Sequence, residues 1–176
     1  NYGIPQTRRR IFVVGFKTPV QNFEFPPTEE LKFTLQDFLQ ENTKYGNYTS
    51  VNGRIQLTPG GEKIPEKYFL SEKILPGILW PGTGGVYMEP EIDLRIARPL
   101  MSSMHKMHRA GEDNYVTTDG KIRRLTPIEC LRLMGYPDSF KIVMPDTEMY
   151  RQCGNSIVVN VLEEIVKELY NCGALK

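Results

Sequence analysis

The most apolar stretch of the chain lies near its beginning, at residues 11–16, where Ile-Phe-Val-Val-Gly-Phe forms an unbroken run. Continuous apolar and β-branched residues are typical of a strand that is buried on both faces, in the middle of a sheet covered by helices. The pattern therefore predicts an element of an α/β sheet. A loop-rich chain of 176 residues scarcely provides the strands and helices that would cover it. Because burial is worth roughly 25 cal/mol per Å² of apolar surface, we expect another polypeptide segment to supply that cover.

A second apolar pattern, near the end of the chain, has the period of a helix. Five apolar residues recur at three- and four-residue intervals and form one stripe: Val158, Val161, Leu162, Ile165 and Leu169. The charged residues between them predict a solvent-facing side: Glu163, Glu164, Lys167 and Glu168. Gly173 is placed to end this helix.

Helix signals also occur just before this region. Thr126 is a good N-cap, Pro127 suits the first helical position, and Glu129 completes a capping box with Thr126. Gly135 is placed to terminate the helix. Residues 33–39 favour one more short helix, whereas residues 41–120 are rich in Gly, Pro, Asn and Thr and predict short strands with long loops.

The net charge of +1 hides an uneven distribution. Residues 1–20 carry four basic residues and no acidic ones, and residues 95–124 carry seven basic residues against three acidic ones. Two separate basic stretches suit a polyanion that is gripped at defined places, although a solvated surface would give the same pattern.

The three cysteines are odd in number and lack the spacing of metal ligands. They are interpreted as reduced thiols, which favours a cytoplasmic protein. No run of 18 apolar residues predicts a transmembrane helix. The first residues, Asn-Tyr-Gly-Ile-Pro, lack a signal-peptide pattern and fit a start inside a longer protein or reading frame.

Candidate chemistry begins with the sequence Gln-Thr-Arg-Arg-Arg at residues 6–10. In an extended segment Arg8 and Arg10 project to one face, where two guanidinium groups suit a phosphate or a carbonyl oxygen. Two later stretches are more specific: residues 123–140 read RRLTPIECLRLMGYPDSF, and residues 150–160 read YRQCGNSIVVN. Together the three stretches resemble the eighth, ninth and tenth motifs of bacterial cytosine-C5 DNA methyltransferases of restriction–modification systems, in that family's order.

The resemblance implies a fold and a division of the chain. One strand and the closing helix would belong to a Rossmann-like α/β methyltransferase domain, flanking a small, loop-rich mixed α+β target-recognition domain. Residues 1–18 would be the last part of the catalytic domain, and residues 19–145 would form the recognition domain. Residues 146–176 would return to the catalytic domain.

The resemblance also implies roles for individual residues. Arg8 and Arg10 would be catalytic, facing a cytosine flipped out of the duplex and steadying its O2. Three residues would line a partial S-adenosylmethionine site: Gly154, Asn155 and Ser156. Glu129 and Arg132 would be structural, organising the recognition domain.

The family's nucleophile is absent from this sequence. It is a cysteine in a Pro-Cys dipeptide, and none of Cys130, Cys153 and Cys172 follows a proline. The family's Glu-Asn-Val and Phe-x-Gly-x-Gly sequences are absent too. Since covalent catalysis needs a thiolate, we expect the chain to be inactive without an N-terminal catalytic part, supplied as a separate subunit or as the missing portion of the same chain.

The loops that read the DNA sequence are expected in the middle of the chain, at residues 82–85 and 95–115. Four basic residues there could read guanine or grip phosphate of double-stranded DNA: Arg95, Arg98, Lys106 and Arg109. His105, His108 and Tyr115 could interleave with them, and no metal site is predicted. Two alternatives stay open, a DNA-binding specificity subunit without catalysis and a tRNA-methylating relative.

Overall fold

The computed structural model of the protein describes residues 2–20, 22–51, 54–82 and 85–175. Two antiparallel hairpins lie in the loop-rich middle: β1 (Asn47–Val51) with β2 (Arg54–Thr58), and β3 (Tyr115–Thr118) with β4 (Lys121–Arg124). Asp119 and Gly120 join β3 to β4 with φ angles of 49° and 74°. Such a two-residue turn matches the twist of the strands. The prediction of short strands and long loops is confirmed for the described residues.

The described residues also form four α-helices: α1 (Leu75–Ile78), α2 (Pro127–Arg132), α3 (Asp146–Asn155) and α4 (Val159–Asn171). Short 3-10 turns occur at Leu35–Phe38, Glu66–Tyr68 and Met104–Lys106. The first of these turns lies inside the short helix predicted for residues 33–39. None of the helices in the described part of the chain is long and apolar enough to cross a membrane.

The local signals of α2 and α4 act as the sequence predicts. The backbone N–H of Thr126 donates to Glu129 Oε2 at 2.8 Å, and the N–H of Glu129 donates to Thr126 Oγ1 at 3.2 Å, which completes the capping box. Gly135 and Gly173 follow the two helices with positive φ angles of 84° and 73°. Helix α3 is a feature that the sequence analysis did not predict.

One core unites elements that are distant in sequence. Its fully buried members come from the N-terminal segment, the Leu35–Phe38 turn, both hairpins, the residues that follow α2, and α3: Ile4, Leu35, Phe38, Tyr48, Val116, Leu133, Met134, Met149 and Cys153. A smaller cluster of Ile78, Ala110 and Tyr115 joins α1 to the start of β3 and the loop before it. The region of residues 95–115 is therefore supported from two sides.

The predicted buried strand at residues 11–16 does not form within the described structure. The segment belongs to no sheet, and 93% of Ile11 and 88% of Val13 are exposed. The apolar stripe of α4 is also only partly covered, since Val158 and Ile165 are buried whereas Leu162 is exposed. The physical reason is that the four described strands pair with each other in two hairpins, so residues 11–16 have no neighbouring strand among the described residues.

Candidate functional site

Arg8 is the centre of the site because its guanidinium binds three main-chain carbonyls. Nη1 donates to the oxygen of Leu100 at 2.9 Å, and Nη2 donates to the oxygens of Gly154 and Ser156, both at 2.8 Å. The last carbonyls of an α-helix have no partner within the helix, and Arg8 satisfies two of them at the end of α3. A single side chain thus joins the segment after residue 95 to the segment after α3.

The backbone before Arg8 fixes this position. Thr7 N–H donates to Ala97 O, and Ala97 N–H donates to Pro5 O, both at 2.8 Å, in a short parallel bridge. The buried side chain of Gln6 extends the connection, since its Nε2 donates to Leu133 O at 2.7 Å and its Oε1 accepts from Leu100 N–H at 3.2 Å. The sequence analysis assigned no role to Gln6, because its partners lie 94 and 127 residues away.

Arg8 and Arg10 differ in their surroundings. Burial lowers the pKa of Arg8, and the nearby charge of Arg10 lowers it further. Arg10 is exposed, and its Nη1 donates only to the carbonyl oxygen of Arg9, at 2.7 Å. Hydrogen bonds to protein carbonyls therefore already occupy Arg8, whereas most of the Arg10 guanidinium is free to contact another molecule. The two guanidinium groups therefore have different hydrogen-bond partners within the protein.

Gly154, Asn155 and Ser156 lie at the end of α3. A Cβ on Gly154 would lie 2.1 Å from Ser102 N and 2.2 Å from Met101 C, so this glycine permits the backbone of residues 101–102 to approach the helix. Asn155 is exposed, and the Ser156 hydroxyl is within hydrogen-bond distance, 3.1 Å, of the Tyr136 hydroxyl.

A cavity of about 330 Å³ opens beside Asn155 and Ser156. Its other walls include Tyr136, Phe140 and Met149, and Phe140 is itself an exposed aromatic residue. Apolar walls with a few convergent polar groups are typical of small-molecule sites. The residues present can hold one end of such a ligand.

Glu129 and Arg132 are buried and hydrogen-bonded. Arg123, which the sequence analysis did not single out, is completely buried and donates to Glu129 at 2.8 Å and to both carboxylate oxygens of Glu41 at 2.7 Å. Burial opposes ionisation of Glu41, but hydrogen bonds from Arg123 and Thr118 outweigh it, and they lower the pKa of Glu41 below its ordinary value. This network ties β4 and α2 to the segment that follows Leu35–Phe38.

Arg132 makes a second buried connection. It donates from Nε and Nη2 to the carboxylate of Asp138, both at 2.8 Å, and also to the carbonyl oxygens of Phe38 and Gly46. A bidentate pair of this kind fixes geometry as well as charge. Arg132 therefore holds the turn after α2 against the start of β1.

The four basic residues of the proposed recognition region have different environments. Arg95 and Lys106 are exposed, whereas Arg98 forms an ion pair with Glu91 at 2.8 Å. Arg109 is half-buried, and its Nη1 is inaccessible to solvent without a hydrogen-bond partner. The structure therefore separates candidates that the sequence treated alike.

The other residues of this region are placed as follows. His105 and His108 contact the carbonyl oxygen of Ser102 and the hydroxyl of Ser103, at 3.2 and 2.9 Å. Tyr115 is buried, with its hydroxyl donating to His108 O at 2.6 Å, so the idea that it interleaves with the basic residues on the surface is wrong. Within residues 82–85, Thr83 and Gly84 lie outside the described residues.

The cysteines are poorly suited to nucleophilic chemistry. Burial raises the pKa of Cys153 to about 12, and it raises the pKa of Cys130 well above the ordinary value. Both thiols are therefore protonated near neutral pH. In the part of the chain that the structure describes, no three His, Cys, Asp or Glu residues come together as metal ligands.

Comparisons with known proteins extend over the whole chain. A Type II methyltransferase, M.HhaI from Haemophilus parahaemolyticus, is 33% identical, with 99% of this chain and 50% of the relative aligned. Another, M2.ScrFI from Lactococcus lactis subsp. cremoris, is 34% identical over 97% of this chain and 42% of the relative. The chain thus spans about half the length of these relatives.

Solved structures agree at the level of the fold. The Entamoeba histolytica methyltransferase EhMeth superposes with a TM-score of 0.68 at 17% identity, covering 99% of this chain and 51% of that one. The S. pombe Dnmt2 methyltransferase superposes with a TM-score of 0.57 at 19% identity, covering 84% and 44%. The family model for C-5 cytosine-specific DNA methylases matches residues 1–171. The chain therefore belongs to the C-5 cytosine-specific DNA methylase family.

Proposed function

We propose that this chain is the target-recognition part of a DNA (cytosine-5-)-methyltransferase and contributes part of its active site. In this role it binds double-stranded DNA, and the assembled enzyme transfers a methyl group from S-adenosylmethionine to a flipped cytosine. The observation that carries the proposal is the exposed apolar segment at residues 11–16, directly after Arg8 and Arg10. It has the composition of a buried strand, yet 93% of Ile11 and 88% of Val13 are exposed.

The occupant of this surface is the catalytic part of the enzyme. The relatives are about twice as long as this chain, so their other half is the natural source of a sheet that residues 11–16 can join. Helix α4 offers a second unpartnered surface, since Leu162, Val166 and Tyr170 recur at four-residue intervals and are all exposed. The exposed apolar surfaces of residues 11–16 and of α4 both support docking of one partner, the methyltransferase core.

Within the assembled enzyme Arg10 is the motif arginine that reaches the cytosine, because its guanidinium is exposed. Arg8 acts through the backbone of Leu100, Gly154 and Ser156 rather than on the base. Asn155 and Ser156 fit one end of S-adenosylmethionine, since both line the cavity beside Tyr136 and Phe140. The cofactor supplies the methyl group. Asn155 and Ser156 bind the cofactor and shield it from water.

Catalysis needs a nucleophile from outside these 176 residues. No cysteine here follows a proline, and burial keeps Cys130 and Cys153 protonated. The chain alone is therefore inactive. In this division residues 1–18 are the last part of the catalytic domain, residues 19–145 form the recognition domain, and residues 146–176 return to the catalytic domain.

The test is methyl transfer from labelled S-adenosylmethionine to duplex DNA. The chain alone is expected to give none, and adding the polypeptide that carries the Pro-Cys loop restores it. Val13→Asp abolishes the restored activity, because a charge cannot be buried in the sheet without a partner. Val143→Asp is the matched control, since Val143 is 85% exposed outside these two surfaces.

Three outcomes separate the possibilities. Methyl transfer by the isolated chain contradicts the proposal. Equal activity of the Val13→Asp assembly and the wild-type assembly removes residues 11–16 from the interface. DNA binding without any cofactor binding in the assembly favours the alternative, a specificity subunit that takes no part in catalysis.

A further inference from the structure

Tyr136 follows α2 and is held there by the backbone around it. Its N–H donates to Leu131 O at 3.0 Å, and Gly135 before it has a φ angle of 84°. A Cβ on Gly135 would lie 3.3 Å from Val159 N, so this glycine lets the end of α2 approach the start of α4. Val159 N–H donates to Met134 O at 3.0 Å and completes the contact. Main-chain hydrogen bonds therefore fix the position of Tyr136.

Ser156 is held by a separate set of contacts. Arg8 binds its carbonyl oxygen at 2.8 Å, and its N–H donates to Cys153 O at 3.3 Å. Its hydroxyl donates to Ile157 O at 3.2 Å and lies 3.1 Å from the hydroxyl of Tyr136. Because a serine hydroxyl has one proton, the Tyr136 hydroxyl is the donor to Ser156 Oγ in this arrangement. Tyr136 thus adds a side-chain contact to a residue whose backbone Arg8 already holds.

The ring of Tyr136 belongs to the walls of two cavities. The cavity of about 330 Å³ beside Ser156 and a second cavity of about 150 Å³ both have Leu131, Tyr136 and Phe140 in their linings. The rings of Tyr136 and Phe140 pack with their centroids 5.0 Å apart and their planes at 60°. Because this packing restricts the ring, the Tyr136 hydroxyl reaches the larger cavity at a defined place, beside the Ser156 hydroxyl.

We infer that Tyr136 is a positioning residue for the cofactor, because its hydroxyl fixes the direction of the Ser156 hydroxyl before the cofactor binds. The inference rests on the proposed function, which places one end of S-adenosylmethionine beside Asn155 and Ser156. A serine side chain has three staggered rotamers, and a ligand that binds a freely rotating hydroxyl loses affinity through the ordering of that side chain. Arg8 fixes the backbone of Ser156, whereas Tyr136 fixes its side chain and reduces this cost.

The first experiment measures the binding of labelled S-adenosylmethionine to the assembled enzyme by equilibrium dialysis. Tyr136→Phe keeps the ring and removes the hydroxyl. It is expected to raise the Kd about threefold to tenfold, as the loss of one neutral hydrogen bond does. The KM for the cofactor is expected to rise by the same factor, whereas kcat at saturating cofactor stays unchanged.

A double-mutant cycle tests whether Tyr136 acts through Ser156. Ser156→Ala alone is expected to raise the Kd at least as much as Tyr136→Phe does. In the Ser156→Ala background, Tyr136→Phe is expected to change the Kd by less than about twofold, because the hydroxyl that it positions is gone.

Tyr87→Phe is the matched control for the loss of a tyrosine hydroxyl. Tyr87 is exposed, and its hydroxyl donates to the carboxylate of Glu89, so this variant also loses one hydrogen bond. The residues that line the cavity lie between Leu131 and Ser156, whereas Tyr87 lies in the loop after α1. The Kd for S-adenosylmethionine is therefore expected to stay unchanged.

A second measurement needs neither the cofactor nor the catalytic part. In the 176-residue chain alone, NMR couplings across the Cα–Cβ bond of Ser156 report its rotamer. We expect a single rotamer in the wild-type chain and an average over several in Tyr136→Phe. Circular dichroism shows whether each variant is folded. If Tyr136→Phe does not fold, the Ser156 couplings of the wild-type chain carry the test.

Three results overturn the inference. One is an unchanged Kd in folded Tyr136→Phe, and another is an equal loss with and without the Ser156 hydroxyl, which would mean that Tyr136 acts independently of it. The third is rotamer averaging of Ser156 in the wild-type chain. An assembly that binds no S-adenosylmethionine contradicts the proposed function instead, and the NMR couplings then still decide whether Tyr136 orients Ser156.

Discussion

Arg8 donates from Nη2 to the carbonyl oxygen of Gly154 at 2.8 Å, across 146 residues of sequence. The same guanidinium holds Ser156 O and Leu100 O, so one side chain connects the end of α3 to the segment that leads into the basic residues 95–109. The stretches at residues 6–10 and 150–160 thus meet through the guanidinium of Arg8 and two main-chain carbonyls. A link of this kind fixes the relative position of the two stretches.

Arg8→Met is expected to destabilise the fold by about 2–4 kcal/mol, because three carbonyls lose a charged donor in a partly buried place. Urea unfolding measures this loss. Arg9→Met is the control, since Arg9 is exposed at the next position and its replacement should change stability by less than about 0.5 kcal/mol. Equal effects of the two substitutions would contradict the role assigned to Arg8.

Gly154→Ala is expected to displace the end of α3. Its Cβ would lie 2.1 Å from the backbone nitrogen of Ser102, and backbone cannot move aside cheaply. Overpacking of this kind costs about 1–3 kcal/mol, measurable as a lowered Tm. Gly77→Ala in α1 is the matched control, because nothing lies within 4 Å of its would-be Cβ. That substitution should be neutral or stabilise by up to about 1 kcal/mol, and a greater loss at Gly77 than at Gly154 would refute the packing argument.

Arg123→Met is expected to cost about 3–5 kcal/mol, because it leaves the fully buried carboxylate of Glu129 without its cation. Lys121→Met tests an exposed cation on the same strand, whose ion pair with Glu66 at 3.8 Å should contribute less than about 1 kcal/mol. Chemical denaturation of both variants provides the comparison. A loss below 1 kcal/mol for Arg123→Met would mean that the network contributes little.

Asp113 gives the protein a specific dependence on pH. Burial raises the pKa of Asp113 from 3.8 to about 6 in the folded chain. Between pH 4 and 6 the unfolded chain releases a proton that the folded chain retains, so this residue makes the fold less stable as pH rises through that window, by about 3 kcal/mol. Below pH 4 both states are protonated, and the contribution vanishes.

Asp113→Asn is expected to remove the loss of stability that accompanies the rise from pH 4 to 6. The amide oxygen can still accept from His108 N–H without carrying a charge. The variant should exceed the wild type in stability by about 1–3 kcal/mol at pH 7 and match it near pH 4. Urea titrations at pH 4, 5, 6 and 7 measure the difference. A variant that is less stable than the wild type at pH 7 would show that the ionised carboxylate is required.

The sequence by itself determined the elements whose signals are local. The capping box of Thr126 and Glu129 and the glycines after α2 and α4 act within a few residues of each other, so they could be predicted without knowing the fold. Three ordered motifs likewise indicated the family, which the comparisons confirm. Helix α3 was not predicted, because its few buried residues, Met149, Tyr150 and Cys153, stabilise it through contacts with other segments.

Only the tertiary structure decided which polar groups meet. Arg123 binds Glu41, 82 residues away in the sequence, and Arg8 binds carbonyls that lie 92 to 148 residues away. At such separations the spacing of residues does not predict which groups meet. The structure likewise separated the four candidate cations, because burial and hydrogen-bond partners depend on the surroundings and not on residue type. For residues 11–16 the sequence indicated a strand that needs burial. The tertiary structure leaves Ile11 and Val13 exposed within the described residues, since a strand is stable only beside other strands.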